Sequence, residues 1–286
     1  MTDARPHTGR MLDCGDRRLD LTRPAVMGIL NITPDSFSDG GDFFSVDAAL
    51  AQARRMAAEG AAIIDVGGES TRPGAAAVNE AEEIRRVVPV IAAIRAAVPD
   101  LVVSIDTSKP AVMRAAVAAG AGLINDVRAL REPDALEVAR ELGVPVCLMH
   151  MQGEPRTMQQ APRYDDVVRE VMEFLAARIE SCLRAGIPRA RLLIDPGFGF
   201  GKSAAHNLRL LRRLDRFRVL DCPLLVGLSR KSLIGTVLGH PVGDRLYGSI
   251  ALATMALWQG AAIVRAHDVG PTVDAARLYT AVMESG

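Results

Sequence analysis

The sequence predicts an α/β fold and, within that class, a single (β/α)8 barrel. Short apolar runs typical of buried parallel strands occur eight times along the 286 residues, and amphipathic helical patterns lie between them. Polar residues follow these runs at the point where a barrel places its catalytic loops. No low-complexity stretch or flexible linker divides the chain, which favours one domain. A doubly wound open sheet is the alternative architecture.

The elements can be justified in chain order. We expect residues 1–11 to form a flexible N-terminus outside the barrel domain of residues 12–286. Cys14-Gly15-Asp16 suits a turn, which predicts an N-terminal hairpin that caps the bottom of the barrel. The eight predicted strands are residues 25–32, 61–66, 101–105, 123–124, 144–149, 191–194, 224–228 and 262–266.

Helical periodicity is clearest in two segments between the strands. Apolar residues from Val46 to Ala57 and from Val168 to Cys182 recur at helical spacing, which gives each segment one face that can pack on a sheet. The longest uncharged run, residues 246–264, approaches the length of a membrane span, but Gly248 and the Gln259-Gly260 break interrupt it. We interpret this run as a buried helix followed by a buried strand.

Composition excludes several classes of partner. The chain has 34 Lys and Arg against 34 Asp and Glu, whereas proteins that bind the nucleic-acid backbone are usually strongly basic. The charged N-terminal stretch lacks the apolar core of a signal peptide. The four cysteines form no C-x-x-C pair, which favours buried free thiols. We therefore expect a cytoplasmic protein with no nucleic-acid or membrane partner.

Seven of the eight predicted strands end in polar residues, and the seventh strand instead leads through Ser229 to Lys231. Any one of them could be a helix N-cap or a turn residue, but their recurrence favours a shared site. In chain order they are Asn31, Asp65 with Glu69, Asp106, Asn125 with Asp126, His150, Asp195, Lys231 and Arg265 with His267.

These residues fall into two chemical groups. Carboxylate, amide and ammonium groups near the barrel axis suit a polar nitrogen heterocycle, because together they donate and accept hydrogen bonds. This throat comprises Asp106, Asn125, Asp195 and Lys231. The rim suits a phosphate or diphosphate and comprises Asn31, Thr71, Arg72, Arg265 and His267. No histidine pair has the spacing of zinc ligands, so any metal should be a hard cation such as Mg2+.

Three long connections follow strands. Residues 31–41 combine proline, glycine and Phe37, which favours a mobile lid, and residues 67–74 offer hydroxyls and amides for an anion. Residues 195–203 end in Gly-Lys-Ser, but Pro196 occupies the place of the first glycine of a phosphate-binding P-loop. An NTPase is therefore disfavoured, and we expect Phe200 to line a pocket instead.

Eight segments in this order resemble the signatures of the dihydropteroate synthase family. They span residues 28–269 and read GILNITPDSFSDGG, IDVGGESTRPG, SIDTSKP, INDV, LMHMQG, DPGFGFGK, GLSRKS and RAHDV. The resemblance implies a (β/α)8 barrel, commonly a homodimer, that joins 6-hydroxymethyl-7,8-dihydropterin diphosphate to p-aminobenzoate and releases pyrophosphate. It also implies that sulfonamides act as p-aminobenzoate mimics.

The same resemblance assigns roles to individual residues. The implied pterin contacts are Asp106, Asn125, Asp195 and Lys231. The diphosphate cradle is Asn31, Thr71, Arg265 and His267, with Asn31 as the Mg2+ ligand. The p-aminobenzoate pocket is Phe37, Arg72, Pro73, Phe200 and Ser232. The implied catalytic residues are Asp106, Asp195, Lys231, Arg265 and His267.

Two other functions remain open at this point. A folate-dependent methyltransferase uses a similar pterin barrel but does not need a diphosphate rim or the lid of residues 31–41. A non-catalytic pterin-binding protein would keep the throat and could lose the rim, whereas this chain has both.

Overall fold

The strands form two sheets in the computed structural model, which describes residues 11–32, 46–70, 77–154 and 157–285. The predicted flexible N-terminus comprises residues 1–11. Residues 1–10 lie outside the described part of the chain, and residue 11 begins the first strand. The strands are Met11–Cys14 (β1), Arg17–Asp20 (β2), Ala25–Asn31 (β3), Ile63–Gly67 (β4), Val102–Asp106 (β5), Leu123–Asp126 (β6), Val146–Met149 (β7), Leu192–Asp195 (β8), Leu225–Gly227 (β9) and Ile263–Ala266 (β10).

Strands β3 to β10 form a closed parallel barrel. Each of β3 to β7 pairs with the next strand in sequence, and β10 pairs with both β3 and β9. The circle closes between β8 and β9 through a parallel bridge of Ile194 to Leu224, with the Ile194 amide donating to the Pro223 carbonyl at 3.0 Å. The predicted (β/α)8 barrel is confirmed and the open doubly wound sheet is excluded.

Alternation along each strand divides its side chains between two cores. Residues such as Ile64, Val103 and Ile124 pack outward against the helices. Residues one position earlier in the same strands point into the barrel and form a separate apolar cluster. The inward members at the N-terminal ends of the strands are Met27, Ile63, Val102, Leu123, Cys147, Leu193, Leu225 and Ile263. We call this set the lower layer.

The hairpin of β1 and β2 closes the bottom of the barrel. Leu12 and Leu19, which face each other across the hairpin, belong to the same apolar cluster as the lower layer. The hairpin lies so close that a Cβ atom added to Gly122 would be 2.4 Å from the Cys14 carbonyl oxygen. The predicted capping hairpin is therefore confirmed.

Helices surround the barrel and separate its strands. They are Val46–Ala58 (α1), Glu80–Ala97 (α2), Pro110–Ala118 (α3), Ala135–Leu142 (α4), Val167–Arg184 (α5), Ala204–Arg212 (α6), Ser232–Leu238 (α7), Leu246–Trp258 (α8) and Val269–Met283 (α9). In the described ranges, no helix combines the length and apolar character that crossing a membrane requires. The four cysteines are free and buried, as predicted.

Helix α8 departs from its prediction as a buried helix. Its inner face, which includes Ala253 and Leu257, is buried, but Tyr247 is 85% exposed and Trp258 is 57% exposed. An apolar composition on all sides cannot distinguish a buried helix from one with an uncovered apolar face. The following strand β10 is buried as predicted, apart from the half-buried Arg265.

Candidate active site

A polar layer lies directly above the apolar lower layer. On five strands, the inward residue two positions further on is polar, so each strand changes from apolar to polar within one side-chain repeat. These residues are Asp65, Ser104, Asn125, Asp195 and Arg265. With Asp106, at the last inward position of β5, they form the upper layer. The carboxyl ends of the strands thus carry the polar chemistry that a (β/α)8 enzyme uses.

Arg265 connects the carboxylates of the upper layer. Its Nε donates to Oδ2 of Asp65 at 2.6 Å, and its Nη2 donates to Oδ2 of Asp106 at 2.9 Å. The Asn125 side-chain amide donates to the same Asp65 oxygen at 2.9 Å. Asp65 is fully buried and fixes the orientation of two predicted site residues. The sequence pattern marks Asp65 only as a polar residue at the end of a strand, so Asp65 is not among the predicted site residues.

The two carboxylates share one guanidinium, which affects their protonation. Burial raises the pKa of Asp106 from its ordinary value of 3.8 to about 7; the Arg265 charge opposes this rise and the Asp65 charge adds to it. Burial lowers the pKa of Arg265, but its contacts with Asp65 and Asp106 leave it above the ordinary value. The upper layer therefore holds a permanent cation beside a carboxyl group that titrates near neutral pH.

Asp195, which ends β8, and Lys231, which follows β9, each favour the charged form of the other. Asp195 is buried at the end of β8, where its Oδ1 accepts the Gly197 amide at 2.7 Å. Burial raises its pKa, and the charge of Lys231 opposes the shift. Burial lowers the pKa of Lys231 to about 8, while Asp195 supports its charged form. Lys231 Nζ also donates to the Phe198 carbonyl and lies 4.7 Å from the Phe200 ring centroid.

Two glycines leave open space among these side chains. Gly227 occupies the inward position of β9, and a Cβ atom there would lie 3.9 Å from Lys231 Nζ and 3.8 Å from the Arg265 Cβ. A Cβ atom on Gly67 would lie 3.5 Å from the Asp106 Cβ and 3.7 Å from Asn31 Oδ1. Side chains at these positions would project among the charged groups, so the missing side chains leave room for a flat ligand.

The predicted rim residues are only partly described. His267 lies at the mouth beside β9, with Nδ1 3.0 Å from the Ser229 hydroxyl oxygen. Asn31 ends β3, half-buried, and its side chain makes no hydrogen bond within the described ranges. Ser232 is the exposed first residue of α7. The other predicted site residues lie outside the described part of the chain: Phe37, Thr71, Arg72 and Pro73.

Cavities occur at both ends of the barrel. The upper one, of about 430 Å3, reaches Asp106 and Thr107 and extends over Lys109, which makes ion pairs with Glu69 and the buried Glu83. The lower one, of about 330 Å3, lies between the start of β3 and α9 and is lined by apolar residues and surface charges. Of these two cavities, the upper one borders the candidate site, because Asp106 of the upper layer is among its lining residues.

The described ranges contain no group of three or more His, Cys, Asp or Glu side chains placed to hold a metal ion. Asn31 offers a single amide oxygen without a described partner, which fits the coordination habit of Mg2+. This ion usually takes few protein ligands and completes its shell with water and phosphate oxygens. The donor set is thus compatible with Mg2+ and offers none of the nitrogen and sulfur ligands typical of zinc.

Comparison with known proteins agrees with this geometry. Residues 27–267 match the family model described as "Pterin binding enzyme". The chain is 55% identical to a dihydropteroate synthase of Escherichia coli strain K12, over 93% of this chain and 94% of that protein.

Solved structures agree as well. A Yersinia pestis dihydropteroate synthase in a sulfonamide drug complex superposes with a TM-score of 0.92 and 52% identity, covering 96% of this chain and 100% of the other. The Xanthomonas albilineans enzyme in complex with 7,8-dihydropteroate gives a TM-score of 0.89 and 52% identity, with the same coverage. The chain therefore belongs to the pterin-binding enzyme family, among the dihydropteroate synthases.

Proposed function

We propose that the upper layer binds the pterin ring for the reaction of this family, in which 6-hydroxymethyl-7,8-dihydropterin diphosphate and p-aminobenzoate give 7,8-dihydropteroate and pyrophosphate. The observation that carries this assignment is the group of Asp195, Lys231, Asp106 and Arg265 at the carboxyl ends of the strands, with Gly67 and Gly227 leaving space among them. A carboxylate can accept two parallel hydrogen bonds from the N–H and NH2 edge of a pterin. Lys231 and Asn125 can serve the carbonyl and ring nitrogens.

The charges of the site suit a displacement at the pterin CH2 group. The electron-rich ring can carry positive charge as the C–O bond to diphosphate breaks, and buried carboxylates favour that charge. Asp106 and Asp195 would supply this stabilisation, and Arg265 and His267 would hold the negative charge of the leaving diphosphate. The aryl amine then forms the C–N bond, so no covalent bond to the enzyme is needed.

We propose Asn31 as the protein ligand of Mg2+, which when bound would neutralise charge on the diphosphate. Support comes from the side-chain oxygen of Asn31, which lies beside Gly67 at the barrel mouth and makes no hydrogen bond within the described ranges. Chelation with EDTA should stop turnover, and added Mg2+ should restore it. Full turnover in metal-free buffer would contradict the assignment of Asn31.

We propose that p-aminobenzoate binds beside Phe200 and Ser232, near the proposed pterin site. Lys231 supports this location because it lies over the Phe200 ring and directly precedes Ser232. Phe37, Arg72 and Pro73 stay predicted members of this pocket, and Thr71 stays a predicted member of the diphosphate cradle. Sulfonamides should compete with p-aminobenzoate here, as the complex of the Yersinia pestis relative suggests.

We also propose a homodimer whose interface includes the outer face of α8. Tyr247, Met255 and Trp258 are more than half exposed on this helix, and Leu278 and Val282 are so on the adjacent α9. Large exposed apolar patches usually mark interaction surfaces. The variant Trp258→Arg should shift the sedimentation coefficient from that of a dimer to that of a monomer.

The buried free cysteines support action in a reducing compartment such as the cytoplasm.

The proposed reaction has a direct test. Purified enzyme is supplied with the pterin diphosphate and Mg2+, and pyrophosphate release is measured with and without p-aminobenzoate. We expect release to depend on p-aminobenzoate and to be accompanied by 7,8-dihydropteroate. Methyl transfer from methyltetrahydrofolate, or pterin binding without pyrophosphate release, would indicate one of the two alternative functions.

A further inference from the structure

Lys202 is a buried lysine beneath the candidate site, and the reaction proposed above gives it no role. The residue is almost completely buried, at 2% exposure. It directly follows the segment Asp195-Pro-Gly-Phe-Gly-Phe-Gly201, which connects β8 to α6. An isolated buried ammonium group is costly, so its partners should show why it is there.

The segment between Asp195 and Lys202 wraps around the lysine ammonium group. Nζ lies 2.9 Å from the Gly197 carbonyl oxygen, 3.0 Å from that of Phe200 and 2.8 Å from Nδ1 of His150. Nζ also lies 3.4 Å from the His150 carbonyl oxygen, so four acceptors surround it. Burial lowers the pKa of Lys202 well below its ordinary value, and the charge of Asp195 opposes the shift. Burial lowers the pKa of His150 to about 2, so its ring is neutral, and its Nδ1 shares one hydrogen bond with Nζ of Lys202.

This arrangement holds the backbone groups that shape the proposed pterin site. Gly197 accepts from Lys202 through its carbonyl and donates its amide to Oδ1 of Asp195. The carbonyl of Phe198, within the same turn, accepts from Lys231. The turn also packs against the chain after β7, since a Cβ atom on Gly197 would lie 1.9 Å from the His150 carbonyl oxygen.

From this geometry we infer that Lys202 is a positioning residue: it locks the 195–202 turn so that the Asp195 carboxylate and the Phe200 ring are preorganised for substrate. The inference rests on the proposed function of Asp195. Nζ of Lys202 is hydrogen-bonded to two carbonyls of the turn and to His150, so Lys202 acts through its neighbours. Small misplacements of a binding group are sufficient to reduce catalysis strongly, which makes such a support consequential.

The test compares Lys202→Met, which keeps a four-atom unbranched stem and removes Nζ, with Leu175→Ala as the control. Leu175 is fully buried on α5 and lies outside the 195–202 segment in sequence, so its truncation lowers stability without changing the hydrogen bonds of the turn. Well below both unfolding midpoints, Lys202→Met should raise the KM for the pterin diphosphate by about tenfold or more. It should also accelerate amide hydrogen exchange of residues 197–201, while Leu175→Ala changes neither quantity.

Several results would overturn the inference. In the first, Lys202→Met has the KM and the amide hydrogen exchange of the wild-type enzyme. In the second, Leu175→Ala raises KM as much as Lys202→Met does, which would indicate general destabilisation. If Lys202→Met does not fold, His150→Phe removes the Nδ1 partner of Lys202 and keeps a ring against Phe174, and it should raise KM severalfold; an unchanged KM there would contradict the inference. Failure of the wild-type enzyme to release pyrophosphate would reject the proposed function instead, while the exchange data would still test the turn.

Discussion

The lower and upper layers of the barrel interior are built on the same strands but differ in polarity and in the interactions that hold their side chains. Ile63, Leu193 and Ile263 are buried apolar residues that pack with the hairpin. Two positions further along the same strands are Asp65, Asp195 and Arg265, which are held by hydrogen bonds and ion pairs. One side-chain repeat thus separates a packed core from a charged cavity floor.

The difference shows how a single sheet divides stability from function. Apolar burial gives the lower layer its contribution to folding, about 1.5–3 kcal/mol for each large side chain. The upper layer buries several charges, which lowers the stability of the fold unless partners compensate. Retention of such a layer is understandable because its groups are positioned for a ligand. Substitutions in the lower layer should therefore lower the free energy of unfolding and leave ligand affinity unchanged. Substitutions of charged residues in the upper layer should lower ligand affinity and leave the fold intact.

The largest expected effect is on ligand binding in the variant Asp195→Asn. The amide replaces one acceptor with a donor that faces the N–H and NH2 edge of the pterin, so affinity should fall by about 2–5 kcal/mol. Calorimetric titration of a pterin ligand measures this loss. The fold should persist, since the remaining side-chain oxygen can still accept the Gly197 amide. Unchanged affinity would remove Asp195 from the site.

The matching substitution in the lower layer is Leu193→Ala, two residues earlier on the same strand. It leaves a cavity in the apolar cluster and should lower the free energy of unfolding by about 2–5 kcal/mol. Denaturant titration measures the loss. Pterin affinity, measured where the variant is fully folded, should stay at the wild-type value. A large loss of affinity would show that the two layers are not separable.

The raised pKa of Asp106 predicts a pH effect with a definite sign. The folded protein keeps a proton on Asp106 up to about pH 7, whereas the unfolded chain releases it near pH 3.8. The free energy of unfolding should therefore decrease between pH 4 and pH 7 by up to about 4 kcal/mol from this group. In Asp106→Asn this decrease should be absent, so the variant gains stability relative to the wild type as the pH rises. Parallel curves for the two proteins would contradict the shift.

The smallest effect is expected for Ser104→Ala. Ser104 belongs to the upper layer, but its buried hydroxyl has no hydrogen-bond partner within the described ranges. Removing an unsatisfied hydroxyl should leave stability unchanged or raise it by about 1 kcal/mol. Pterin affinity should change less than twofold if no ligand contacts this hydroxyl. A tenfold loss of affinity would show that Ser104 faces the ligand.

Sequence patterns predicted the barrel and its throat because both depend on local regularities. Asp106, Asn125 and Asp195 follow apolar strands, and parallel strands bring such positions to one end of a barrel. Asp65 was missed as a site residue because its role is to orient Arg265, 200 residues away, and no local pattern encodes such a contact. In the sequence, Lys202 stands out only as part of an incomplete P-loop motif, and its burial depends on the turn around it.

Composition was a poorer guide to the surface than to the interior. The run of residues 246–264 predicted a helix and a strand correctly, but the uncovered side of α8 could not be inferred from apolar content. Whether an apolar face is covered depends on neighbouring elements or on a second chain. The sequence of one subunit does not contain that information in any local form.

The most direct test of the division between the layers is a crystal structure of this chain with 7,8-dihydropteroate bound. We expect the N–H and NH2 edge of the pterin to lie within hydrogen-bond distance of the Asp195 carboxylate, with Lys231 and Asn125 in contact with the ring. The aminobenzoate part should extend toward Phe200 and Ser232. A pterin ring in the lower cavity between β3 and α9, or one that does not contact Asp195, would contradict the assignment of the upper layer as the active site.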